Sequence, residues 1–126
     1  MIMIIGGAFQ GKGAYAEKEY PQLRFADGAS IKRDEIGNIE GIYGLHALIR
    51  KEMKAGKDVT ELAEELIEKN PDIVIISEEV GYGVVPMDAF DREYREKVGR
   101  ICTKLAAYSE KVIRVVCGIG TVIKDA

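Results

Sequence analysis

The chain has no tryptophan, one histidine and two cysteines in 126 residues. A single histidine with two widely separated cysteines, Cys102 and Cys117, supplies no ligand set for a structural zinc site. Both cysteines fall in apolar-patterned segments, so both are expected as small core residues of a protein kept in a reducing cytoplasm. No apolar run approaches the roughly 20 residues that a membrane span needs. The opening Met1-Ile2-Met3-Ile4-Ile5 lacks a basic leader and a small-residue cleavage site, and it reads as a first strand. Excess positive charge is also absent. The net charge of −3 and pI of about 5.3 leave no global basic field to hold nucleic acid. What remains is 47% hydrophobic and 31% charged, a balance that builds one ordinary core in one domain.

The hydrophobic period switches repeatedly along the chain. Residues 1–5 form a continuous apolar run, followed by the glycine-rich Gly6-Gly7-Ala8-Phe9-Gln10-Gly11-Lys12-Gly13. Ala14 to Tyr20 then suits a short helix closed by Pro21. Leu23 to Ala26 is a candidate second strand, and residues 29–41 have no clear period. Ile42, Leu45, Ile49 and Met53 follow helical spacing up to Gly56. Asp58 and Glu61 form a capping-box-like start for a helix with Val59, Leu62, Ala63, Leu66 and Ile67 on one face. Ile73 to Ile76 has the β-branched character of a buried parallel strand. Phe90, Tyr94, Val98, Ile101, Leu105 and Tyr108 mark a long amphipathic helix. Val112 to Val116 is the last expected strand, with Gly118-Ile119-Gly120 opening a short tail. Strands alternating with helices predict a small α/β domain with a mostly parallel sheet and helices on both faces.

A strand, a glycine turn and a helix start make an anion site, because backbone N–H groups and the helix N-terminus both favour phosphate. Gly6 to Lys12 reads as G-x-x-x-x-G-K, a P-loop whose Lys12 reaches the β- and γ-phosphates. The Ser or Thr that should follow, a Mg²⁺ ligand, is replaced by Gly13. The same residues also read as a GxGxxG variant with Ala8 in the second glycine position and Asp27 as a ribose-binding acid. A third reading is an ordinary tight turn with no ligand.

Two further segments carry a family resemblance. Glu79-Val80-Gly81-Tyr82-Gly83-Val84-Val85-Pro86 resembles the E-V-G-x-G-x-V-P signature of the adenosylcobinamide kinase/adenosylcobinamide-phosphate guanylyltransferase family. Val98-Gly99-Arg100 with Leu105-Ala106-Ala107 resembles its next helix. Val115-Val116-Cys117-Gly118-Ile119-Gly120 resembles its closing strand, and Ile5-Gly6-Gly7-Ala8 with Gly11-Lys12 its P-loop. The matched pieces lie at the start of the chain and over most of residues 73–124. The resemblance implies a RecA-like P-loop fold, with residues 1–126 as one nucleotide-binding domain. It also implies phosphoryl and GMP transfer to a corrinoid in cobalamin biosynthesis, with GTP or ATP and Mg²⁺ as cofactors. A homo-oligomer is expected, with small-molecule partners only.

The implied site is the loop Gly6, Gly7, Ala8, Phe9, Gln10, Gly11, Lys12 and Gly13. His46 with Arg50 matches the family's H-x-x-x-R spacing, so His46 is the candidate guanylylated nucleophile. Its helical phase also fits a satisfied, partly buried histidine. Arg50 reads as a phosphate partner, or as part of a solvated face with Lys51, Lys54 and Lys57. Glu79 is the leading acidic candidate, with Asp72 and Glu78 as substitutes for a metal ligand. Gly81, Tyr82 and Gly83 form a candidate ligand loop. Family members are longer, and the acidic D-C-L-T-type strand has no counterpart in this reading. A homologue that has lost the chemistry and acts as a regulator or partner subunit is therefore the alternative, with a dinucleotide-binding domain ranked below it.

Overall fold

The computed structural model describes residues 1–79 and 88–126. The chain runs β1 (Ile2–Gly6), α1 (Lys12–Glu19), β2 (Phe25–Asp27), a 3-10 helix (Arg33–Asn38) and β3 (Gly41–Tyr43). It continues through α2 (Leu45–Lys54), α3 (Leu62–Lys69), β4 (Val74–Glu78), α4 (Ala89–Tyr108), β5 (Lys111–Val116) and β6 (Ile119–Asp125). The six strands form one sheet in the order β2-β3-β4-β1-β5-β6. All neighbouring pairs are parallel except β5 with β6.

Successive side chains of a strand point to opposite faces, and the central strands are apolar on both, so each face is covered. Met3, Ile73, Ile75, Ile42 and Val112 pack against α2, α3 and α4 through Leu45, Leu48, Leu62, Leu66, Tyr94, Val98, Ile101 and Leu105. Ile4, Val74, Ile76, Ile113 and Val115 pack on the other face against Ala16 and Tyr15 of α1. The expected α/β architecture, a mostly parallel sheet between two helical layers, is what forms.

Four local assignments differ from the sequence reading. Ile42 has helical spacing relative to Leu45 and Ile49, yet it is the centre of β3, buried and paired with Ala26 and Ile75. Gly44, with φ of +80°, makes the left-handed break that separates this strand from α2. Asp58 does not cap α3. Its carboxylate accepts from the Thr60 N–H at 2.9 Å and the Thr60 hydroxyl at 2.6 Å, closing a local turn ahead of a helix that starts at Leu62. The expected tail is β6, an antiparallel partner for β5 in which Gly120 makes room for the Tyr15 ring. Cys117 is exposed in the turn between them, whereas Cys102 is largely buried with its thiol 3.9 Å from the Ser77 hydroxyl.

The long helix is fixed at both ends. Asp88 accepts from the Asp91 N–H at 2.8 Å at its start. At its end Lys124 of β6 donates to the carbonyls of Ala106 and Ala107 at 2.9 and 2.8 Å. No helix among the described residues is long and apolar enough to cross a membrane.

Candidate functional site

In open parallel sheets, ligands bind beyond the carboxyl ends of the strands, where successive connections pass to opposite faces. Here that point is β1. It lies between β4 and β5, with α1 on one face of the sheet and α4 on the other. The residues gathered at that edge include the glycine loop after β1, Tyr43 at the end of β3, Glu78 at the end of β4 with Glu79 following it, and Cys117 after β5.

The glycine loop is built by close approach. A β-carbon on Gly6 would lie 2.5 Å from the Val115 carbonyl oxygen, so only glycine lets β1 turn beside β5. Gly11 takes a left-handed φ of +87° and forms the N-cap of α1. Lys12 is therefore the first residue of the helix, with only 7% of its surface exposed, and its ammonium donates to the Gly7 carbonyl at 2.7 Å. Burial holds its pKa below the ordinary lysine value, against the opposing pull of Glu78 and Glu79.

Gln10 ties this loop to the β5–β6 turn. Its main-chain carbonyl accepts from the Gly118 N–H at 2.8 Å, and its side-chain Oε1 accepts from the Cys117 N–H at 2.7 Å. Ala8 and Phe9 are exposed, and Phe9 has the left-handed φ of +60°. Gly13, the residue after Lys12, lies against an aromatic ring. A β-carbon there would stand 3.1 Å from Cε2 of Tyr43.

His46 is the second residue of α2 and lies 21% exposed against the end of β4. Its Nδ1 accepts the Glu78 main-chain N–H at 3.1 Å, and its Nε2 is 3.3 Å from Glu78 Oε2. Burial lowers its pKa, opposed by Glu78 and assisted by Lys12. The neutral imidazole thus carries its proton on Nε2, and the Nδ1 lone pair is engaged by the backbone. Glu79 donates its N–H to the Gly6 carbonyl at 2.8 Å, and its carboxylate takes the Arg114 guanidinium through both oxygens at 2.9 and 3.3 Å.

The edge thus brings together Lys12, His46, Glu78 and Glu79, but not every sequence candidate. Asp72 precedes β4. The parallel register pairs Ile2 with Val74 and Gly6 with Glu78, so Asp72 sits at the opposite end of the sheet from the glycine loop. Arg50 lies over the Phe90 and Tyr94 rings, 5.3 and 5.1 Å from their centroids, with Asp91 3.8 Å away. Its guanidinium is occupied on α4. Gly81, Tyr82 and Gly83, with Val84 and Val85, fall outside the described residues.

Asp27 ends β2, which is separated from β1 by both β3 and β4, and its carboxylate closes its own turn on Ala29 and Ser30. A dinucleotide fold places its ribose acid on the strand next to the glycine loop, and this order does not. Sequence reasoning missed Gln10 as a tie, Tyr43 as a cover and Arg114 as the partner of Glu79. Only Arg114 left a signal, as one charge inside the apolar Val112–Val116 run.

Residues 38–123 match the family model of cobinamide kinase / cobinamide phosphate guanyltransferase. The chain belongs to that family. Over 52 residues it is 42% identical to the bifunctional adenosylcobalamin biosynthesis protein CobU of Salmonella typhimurium and to that of Escherichia coli. The match takes in 41% of this chain and only 29% of either relative.

Proposed function

We propose that this chain is one P-loop nucleotide-binding domain. In this reading it binds GTP or ATP at Gly6–Gly13 and takes part in phosphoryl or guanylyl transfer to a cobinamide. The observation that carries this reading is the placement of Lys12. It heads α1 directly after a left-handed glycine, at the carboxyl end of the strand where the sheet connections change face. In this reading the loop N–H groups, the start of α1 and the Lys12 ammonium, which rests on the Gly7 carbonyl, hold the triphosphate. The strand order supports a P-loop fold over a dinucleotide fold, because β1 neighbours β4 and β5 instead of β2.

In this reading His46 is the candidate guanylylated nucleophile, brought to the site at the end of β4. The Glu78 N–H orients the ring through Nδ1, and the Glu78 carboxylate lies 3.3 Å from Nε2. The test is to incubate the chain with cobinamide and each nucleoside triphosphate, and to follow phosphorylated or guanylylated corrinoid by mass. Product formation supports the transferase. A second reading, a nucleotide-binding homologue without the chemistry, is favoured by Gly13 and by the engagement of Glu79 with Arg114. It predicts nucleotide binding with no product.

A further inference from the structure

A P-loop ordinarily anchors its Mg²⁺ through the Ser or Thr hydroxyl that follows the lysine and through a carboxylate at the end of a nearby strand. The residue that follows the lysine does not fit the ion. Gly13 has no hydroxyl, and the space where one would start is bounded by the Tyr43 ring, 3.1 Å from an added β-carbon. Tyr43 itself ends β3, the strand beside β4, so an aromatic ring stands at a strand end that could have carried an acid.

The neighbouring carboxylates have other partners. Glu79 is bound through both oxygens to Arg114, and Glu78, which ends β4 beside β1, has one oxygen, Oε2, 3.3 Å from His46 Nε2. Asp27 accepts from the Ala29 N–H at 2.9 Å and the Ser30 hydroxyl at 3.4 Å. Residues 80–87 contain no acid in the sequence. Glu17, one helical turn past Gly13, lines a cleft of about 330 Å³ with Tyr43, Asp27 and Phe25. Among the described residues, no three His, Cys, Asp or Glu side chains converge on a metal position.

We infer that this chain holds a nucleoside triphosphate without a protein-anchored divalent ion. The Tyr43 ring takes the place of the metal-binding hydroxyl, and Lys12 and the loop N–H groups carry the phosphate charge. The inference rests on the glycine loop being the nucleotide site. Gly13 and Tyr43 act as a matched pair: a β-carbon at position 13 stands 3.1 Å from the ring, so a serine there fits only where the ring gives way.

The test is calorimetric titration of GTP and of ATP into the full chain, in magnesium chloride and in EDTA at equal ionic strength. Dissociation constants within about threefold of each other in the two buffers are expected, which is under 1 kcal/mol. Affinity that falls about tenfold or more in EDTA overturns the inference. If that dependence then vanishes in Glu17→Gln, the ion is held on α1 and the Tyr43 assignment is wrong. Failure of both nucleotides to bind in either buffer, with the circular dichroism unchanged, is a different result that removes the nucleotide site itself. The variant Gly13→Ser/Tyr43→Asp, which restores both anchor types, is expected to bind at least about tenfold more tightly in magnesium than in EDTA.

Discussion

His46 and Glu78 meet twice: the Glu78 main-chain N–H donates to Nδ1 at 3.1 Å, and the Glu78 carboxylate lies 3.3 Å from Nε2. Only the neutral ring can make the first contact, because a protonated Nδ1 cannot accept. The histidine is thereby tied to the end of the strand that neighbours the glycine loop.

A pH dependence follows from that tie. Burial holds His46 below its ordinary value of 6.5, although Glu78 pulls the other way. As pH falls, the unfolded chain takes up this proton before the folded chain does. The stabilisation from neutral His46 is thus complete above pH 6.5 and is lost as pH drops through that value toward the lowered one. Glu65, held below its ordinary 4.5 by Arg33, loses its contribution only in a more acid range. Melting temperatures at pH 7.5 and 5.5 should therefore show a larger drop in wild type than in His46→Gln. Equal drops would detach the effect from this residue.

Gly6→Ala tests the close approach of β1 to β5. The added methyl stands 2.5 Å from a backbone carbonyl oxygen, which cannot swing away as a side chain could. Overpacking of this kind costs about 1–3 kcal/mol, readable as a lower urea midpoint with an unchanged slope. An unchanged midpoint would mean that the two strands are not packed as described.

The parts of the fold that were legible are those whose pattern is long or chemically marked. The run at residues 1–5, the glycine loop, the Ile73–Ile76 strand and the four-and-three stepping from Tyr94 to Leu105 all declare themselves. β3 is only Gly41-Ile42-Tyr43, too short to show alternation, and Ile42 falls in helical phase with Leu45 by coincidence of spacing. β6 is an edge strand with Ile119 and Ile123 exposed and a glycine at position 120, so it lacks the inward-outward alternation that marks a half-buried strand. At the site, motif chemistry singles out Lys12 and Glu79, and both lie at the carboxyl edge of the sheet beside β1. The Gln10 and Tyr43 roles depend on residues far away in sequence and had no local signal.

Arg33 and Glu52 give a sharper energetic test away from the site. Glu52 is 6% exposed, and its Oε1 makes no hydrogen bond among the described residues. Arg33, whose fork grips Glu65, has its Nη1 3.8 Å from that oxygen. Arg33→Ala leaves the buried carboxylate with Lys57, 3.8 Å from Oε2, and also breaks the Glu65 fork, so it should cost about 3 kcal/mol. Adding Glu52→Gln removes the less compensated buried charge and should recover part of the loss. A double variant no more stable than Arg33→Ala would argue against a charge at Glu52 as the cause.

Gln10→Ala removes the side-chain acceptor from Cys117 and leaves the main-chain bond to Gly118. The expected stability loss is about 1 kcal/mol. A more local reading is hydrogen exchange, where the Cys117 amide should lose protection while the β1 amides keep theirs. Uniform loss across the sheet would point to global destabilisation instead of a loosened turn.

The central claim is that Lys12 and the loop around it form a nucleotide site. Its most direct test is titration of GTP and ATP into wild type and into Lys12→Met, which keeps the packed stem and removes the ammonium. Saturable binding to wild type that falls at least about tenfold in Lys12→Met is predicted, in keeping with the loss of a charged phosphate contact. Equal binding to both proteins would place the nucleotide elsewhere, and absence of binding to wild type would reduce Gly6–Gly13 to a strand-to-helix turn.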